Sequence, residues 1–276
     1  MPKKLIPMAI AYDFDGTLAP GNMQEYDFIP ALNMRSRQFW DMVNKIAVKD
    51  EADPILAYMF TMLEEARKAK LPVRKADFKS YGGKIALFPG VSDWFDRINA
   101  YAKVKGVRLQ HYIISSGLRE MLEGTPIYKK FRKVYASGFM FDQNEVACWP
   151  ALGLNYTTKT QYLFRINKGT LDVHDNSVIN KFVPKADRPL PFENMIFIGD
   201  GETDIPCMRL VKDQGGHSIA VYNTDKYGAK KTAEQLITDG RASFVAPADY
   251  QPNSKVEKAV QAIIDRIEAT ARISQR

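Results

Sequence analysis

Two aspartates one residue apart, Asp13 and Asp15, close the apolar run Ala9-Ile10-Ala11-Tyr12 and are followed by Gly16 and Thr17. Carboxylates this close repel each other unless a cation or a shared proton offsets the charge. The pair therefore suits a hard metal such as Mg²⁺, with one carboxylate as nucleophile and the other as proton carrier. A second acidic pair, Asp200 and Asp204, follows the run Met195-Ile196-Phe197-Ile198-Gly199. Between the two pairs, Ile113-Ile114 ends in Ser115, Ser116 and Gly117, whose hydroxyl and amides can hold a phosphoryl oxygen at a helix start. Lys159, in Thr157-Thr158-Lys159, offers the positive charge that a phosphoryl transition state needs. Taken singly, these stretches read as an acidic turn, a helix N-cap and an acidic helix start.

Together and in this order, the four stretches resemble the four motifs of the haloacid dehalogenase superfamily of phosphohydrolases. The Gly199-Asp200-Gly201-x-x-Asp204 ending is similar to that of its phosphoserine-phosphatase-like branch, and the resemblance spans residues 8–222. It implies Asp13 as the nucleophile that forms an aspartyl phosphate, and Asp15 as general acid and base. It further implies Mg²⁺ held by Asp13, Asp15 (through its backbone carbonyl), Asp200 and Asp204, the last by way of a bound water. The phosphoryl group would rest on Ser115, Ser116, Gly117 and Lys159. Lys168 and Lys181 are alternatives to Lys159, which is preferred because a helical pattern follows it and the family's lysine opens such a helix. The implied reaction is hydrolysis of a small phosphorylated metabolite. A phosphotransferase or mutase using the same intermediate, or a non-catalytic phospholigand-binding protein, are the alternatives. A dehalogenase is disfavoured because a halide leaving group needs no proton carrier such as Asp15.

Positioning these residues requires apolar strands that end together. At the C-terminal edge of an open parallel sheet, side chains emerge in the crevice where such folds place their chemistry. The sequence predicts an α/β fold: a Rossmann-like, mainly parallel sheet flanked by helices, with an inserted helical cap domain. Residues 1–20 and 87–276 form the core and 21–86 the cap. In the cap, Phe39, Trp40, Val43, Ile46 and Ala47 recur at helical spacing, as do Ile55, Leu56, Met59, Phe60, Met62 and Leu63. The core strands are expected over residues 8–15, 108–115, 134–137, 195–199, 218–222 and 244–246, with a hairpin over 139–149. Helices are expected near 94–101, 121–133 (with breaks at Gly124 and Pro126), 159–169 and 256–270, with one after Asp204. Residues 170–191 read as a loop longer than a helix-to-strand link requires. That length and the size of the cap both argue against phosphoserine itself as substrate, since caps set leaving-group specificity.

A chain of 276 residues, 45% apolar and 26% charged, fits one large domain plus an insertion. Its N-terminus is too short and too acidic for a signal peptide, no span is long enough to cross a membrane, and only Cys148 and Cys207 are present. A reducing cytoplasm and no membrane partner are the expectation. The net charge of +7 is dispersed, and no nucleic-acid module is evident. The densest basic cluster, Arg67, Lys68, Lys70, Arg74, Lys75, Lys79 and Lys84, is either a solvated face or a rim that attracts an anionic substrate. Glu25 is a candidate for a substrate amine, as an acidic cap residue is in phosphoserine phosphatases. Arg35, Arg37 and Arg119 are expected at the surface, His174 with Asp172 and Asp175 in an exposed turn, and His111 and His217 as structural residues.

Overall fold

In the computed structural model, which describes residues 5–274, the first strand sets the layering. β1 (Ile6–Tyr12) turns Met8, Ile10 and Tyr12 to one face and Ala9 and Ala11 to the other, the two-residue alternation of a strand buried on both sides. After it come α1 (Phe28–Ala31), α2 (Ser36–Lys49), α3 (Pro54–Lys68), α4 (Lys75–Gly82) and α5 (Val91–Val104). Next are β2 (Val107–Leu118), α6 (Arg119–Leu122), β3 (Lys133–Phe141), β4 (Ala147–Leu152), α7 (Lys159–Lys168) and α8 (Asn176–Asn180). The chain then runs through β5 (Met195–Gly199), α9 (Ile205–Asp213), β6 (His217–Tyr222), α10 (Ala229–Thr238), β7 (Phe244–Pro247) and α11 (Lys255–Ser274).

The seven strands order as β4-β3-β2-β1-β5-β6-β7. All neighbours are parallel except β3 and β4, which form the expected hairpin at one edge. The α/β fold class is as the sequence predicts. Large side chains of β1 pack with α1–α5 and α11 in one apolar cluster, while α7, α9 and α10 cover the face carrying Ala9 and Ala11. Phe28, Phe39, Met59 and Phe78 of α1–α4 lie in the same cluster as Ile10 and Ile113, so the inserted helices and the sheet share a continuous core. Segment 73–75 also pairs with the turn before β4: Lys75 N–H donates to the Glu145 carbonyl and Ala147 N–H to that of Val73.

Three local readings change. The helix expected over 121–133 shrinks to the four-residue α6 and a single 3₁₀ turn at Tyr128–Lys130. The interruption falls at the expected breaks, Gly124 and Pro126, the latter with no N–H to donate. β2 runs three residues past Ser115, to Leu118. The loop over 170–191 contains α8 and is gripped from α7. The buried Arg165 guanidinium donates to the carbonyls of Asp172, Val173 and Asp175, and Lys168 Nζ donates to those of Ile179 and Lys181. No helix of the described residues is long and apolar enough to cross a membrane.

Candidate active site

β1 and β5 align Tyr12 with Ile198, and the ladder continues one step as Asp13 N–H donates to the Ile198 carbonyl at 2.9 Å. Asp13 therefore stands beside Gly199, with Asp200 one residue on. On the other side β2 aligns Ile113 with Tyr12, which brings Ser115 to the same edge. The chain then turns at Gly16, whose positive φ of 73° is costly for a residue with a side chain. A methyl group there would overlap the Asp200 carboxylate, so Gly16 also gives Asp200 its place.

Lys159, the first residue of α7, is fully buried and places Nζ 3.0 Å from Asp13 Oδ2 and 2.9 Å from Asp204 Oδ1. Asp204, equally buried, accepts the Asp200 N–H on its other oxygen at 3.2 Å. The alternatives to Lys159 lie away at the C-terminal end of α7, where Lys168 Nζ donates to backbone carbonyls, one of them that of the exposed Lys181. Ser115 is buried, and its Oγ accepts the Gly117 N–H at 3.0 Å. Asp15 is held by the Met23 N–H at 2.9 Å from Oδ1.

Acid outweighs base here. Burial, then the Asp13 charge, pushes Asp200 up to about 7 and Asp204 in the same direction. Burial first and Asp13 second also raise Asp15 well above the ordinary carboxylate range. Burial alone would lower the Lys159 ammonium, but Asp13 and Asp204 outweigh it and its pKa is raised. Lys159 is thus a fixed cation among four carboxylates. One oxygen each of Asp13, Asp200 and Asp204 lie within 4.8 Å of one another. An all-oxygen donor set of this charge fits a small hard divalent cation.

Several side chains at this edge escaped sequence reasoning. Met23 and Tyr58, from the inserted segment, reach the segments that carry the motif residues: the Met23 N–H donates to Asp15 and the Tyr58 hydroxyl to the Ser116 carbonyl at 2.7 Å. Asp53 caps α3 through Oδ1, accepting Ile55 and Leu56 N–H, and with Oδ2 accepts the Asn155 amide at 2.8 Å.

The weaker candidates are also placed. Glu25 is half-buried, its Oε1 accepting from Trp40 Nε1 at 2.6 Å and Asn22 Nδ2 at 2.9 Å. Arg35 and Arg37 are exposed, and half-buried Arg119 pairs with Glu120 at 3.1 Å. His174 is exposed, and Asp175 caps α8. All seven residues of the basic cluster are exposed, and Arg67, Lys68, Lys75 and Lys84 are ion-paired, as on a solvated face.

The family model for haloacid dehalogenase-like hydrolases matches residues 10–209. An uncharacterized protein of Borreliella burgdorferi is 28% identical over 278 residues, covering 90% of this chain and 93% of that one. A haloacid dehalogenase family hydrolase from Salmonella enterica serovar Typhi superposes with a TM-score of 0.56 at 18% identity, over 90% of this chain and 70% of its own. A phospho-aspartyl intermediate analogue of phosphoserine phosphatase superposes at 0.55 and 13%, over 93% and 99%. These structural likenesses concern the fold. The family match covers all four motif stretches up to Asp204, and the chain belongs to the haloacid dehalogenase-like hydrolase family.

Proposed function

We propose that this protein is a Mg²⁺-dependent phosphomonoesterase that hydrolyses a small phosphorylated metabolite through an aspartyl phosphate on Asp13. The observation that carries the reading is Lys159, a fully buried cation bonded to carboxylates from the segments that follow two different strands. Burying such a charge is costly unless it is paired, and this pairing leaves Asp13 fixed beside a positive charge.

Asp13, Asp200 and the Asp15 carbonyl would hold Mg²⁺, with Asp204 acting through a water, and the ion would offset the charge of the phosphate dianion. The chain's own groups carry the steps. Asp13 attacks phosphorus in line, the ester P–O bond breaks, and Asp15 gives its proton to the departing alkoxide. Asp15, now a carboxylate, takes a proton from water as the water oxygen attacks phosphorus. Inorganic phosphate leaves and Asp13 is restored. The raised Asp15 pKa supports its holding a proton before the first step. Ser115 and the amides that follow it bind the phosphoryl oxygens, while Lys159 restrains Asp13 and offsets the repulsion between its carboxylate and the phosphoryl group. Inserted helices over 21–86 act as a cap that excludes water and selects the leaving group. In line with that role, Asp13 is only 5% exposed.

Release of phosphate from p-nitrophenyl phosphate tests the reading. Turnover is expected with Mg²⁺, is lost on chelation and restored by added metal, and is abolished in folded Asp13→Asn. Undiminished turnover in metal-free buffer or in Asp13→Asn would overturn it.

A further inference from the structure

We propose that Met23 gauges the leaving group, a specificity determinant that works by occupying the space around the proton-bearing oxygen of Asp15. The inference rests on the phosphomonoesterase reading and adds to it the residue that sets which alcohols leave.

Three segments meet at Asp15. Its Oδ1 accepts the Met23 N–H at 2.9 Å, so this oxygen is committed as an acceptor and the acid proton belongs on Oδ2. Oδ2 faces Gly117. A methyl group built on Gly117 would overlap the Met23 methyl and lie 2.8 Å from Met23 Sδ and 3.0 Å from Asp15 Oδ2. The thioether and the acid oxygen therefore border the same small space, which exists only because residue 117 has no side chain. Met23 is itself packed there: it is 1% exposed, and its sulfur accepts the Leu118 N–H at 3.1 Å.

A leaving oxygen must come within hydrogen-bonding reach of the proton it receives. It must approach Asp15 Oδ2, and whatever carbon it carries meets the Met23 side chain. An unbranched thioether with three rotatable bonds can yield to a slender group and resist a broad one. The substrate class that fits is a phosphate ester with little bulk next to the bridging oxygen.

Phenyl phosphate and 1-naphthyl phosphate test this, because their leaving groups are similar in acidity and differ in width beside the bridging oxygen. The full chain with Mg²⁺ is assayed as wild type, Met23→Val and Met23→Ala. The naphthyl-to-phenyl ratio of kcat/KM is expected to rise in that order, by about tenfold in Met23→Ala, the discrimination typical of one or two methylenes in an apolar pocket. Met23→Val keeps the test decisive if the alanine variant fails to fold. A ratio unchanged in an active, folded variant would overturn the role of Met23 and leave the phosphatase reading standing. A wild type that releases phosphate from neither ester overturns that reading and the inference with it.

Discussion

Asp15 is the residue on which the proposed chemistry divides. Removing a general acid costs about 10²–10⁴-fold when the leaving group needs its proton and far less when it does not. Asp15→Asn is therefore expected to slow an alkyl phosphate by two or more orders of magnitude while slowing p-nitrophenyl phosphate much less. Equal losses on both esters would remove Asp15 from the proton-transfer role. Its raised pKa follows from burial and from Asp13 rather than from any one partner. Substitution of Asp13 by Asn should accordingly let Asp15 titrate closer to its ordinary range.

Between elements, the inserted helix α3 and Lys159 are joined by a short relay. Asp53 holds the start of α3 with one oxygen and Asn155 with the other. The Asn155 side-chain carbonyl accepts the N–H groups of Thr157 and Thr158, and its backbone carbonyl accepts that of Lys159. Asn155 thus ties α3 to the residue that bonds Asp13. Asn155→Ala is expected to lower kcat about tenfold or more while KM changes little, since a small misplacement of a catalytic group is costly. Asn155→Asp, which keeps the acceptor toward the N–H groups but places a carboxylate against Asp53, should recover little of it. A loss confined to KM would make Asn155 a substrate contact instead. Such links lay beyond sequence reading because the partners are far apart: Tyr58 and Ser116 are separated by 58 positions and Asp53 and Asn155 by 102. The strands that carry the motifs were legible because β1 and β5 are continuous apolar runs and β2 carries Tyr112-Ile113-Ile114 just before Ser115, each run ending at a motif residue. α10 was not, since only Ala233 and Leu236 of its ten residues are buried and the helical stripe is thin. Register supplied the rest, by setting Asp13 beside Gly199 and Ser115 at the same edge.

Across the whole molecule, the sheet is fastened to α5 by a buried polar chain whose protonation links folding to pH. Trp94 Nε1 donates to the Tyr12 hydroxyl at 2.8 Å, Tyr12 lies 3.0 Å from His111 Nδ1, and His111 Nε2 lies 3.1 Å from Asn99 Oδ1. With Asn99 accepting, the proton sits on Nε2, so Nδ1 accepts from Tyr12 and the ring is neutral. Burial lowers the His111 pKa from its ordinary 6.5 to about 3. The folded protein therefore binds fewer protons at His111 than the unfolded chain does between those values. The stability that neutral His111 contributes is complete above pH 6.5 and is lost as the pH falls through that window. His111→Gln removes the titration while leaving a side chain able to hydrogen-bond. The variant is expected to be less stable than wild type at pH 8. Between pH 6 and 5 its unfolding free energy should fall less steeply, by up to about 1.4 kcal/mol per pH unit, the slope one proton confers. Urea unfolding of both proteins across this range measures the difference, to which the active-site carboxylates contribute equally on both sides. Parallel slopes would mean that His111 titrates in the folded protein as it does in the unfolded chain, and the neutral ring inferred from the Trp94–Tyr12–His111–Asn99 chain would have to be abandoned.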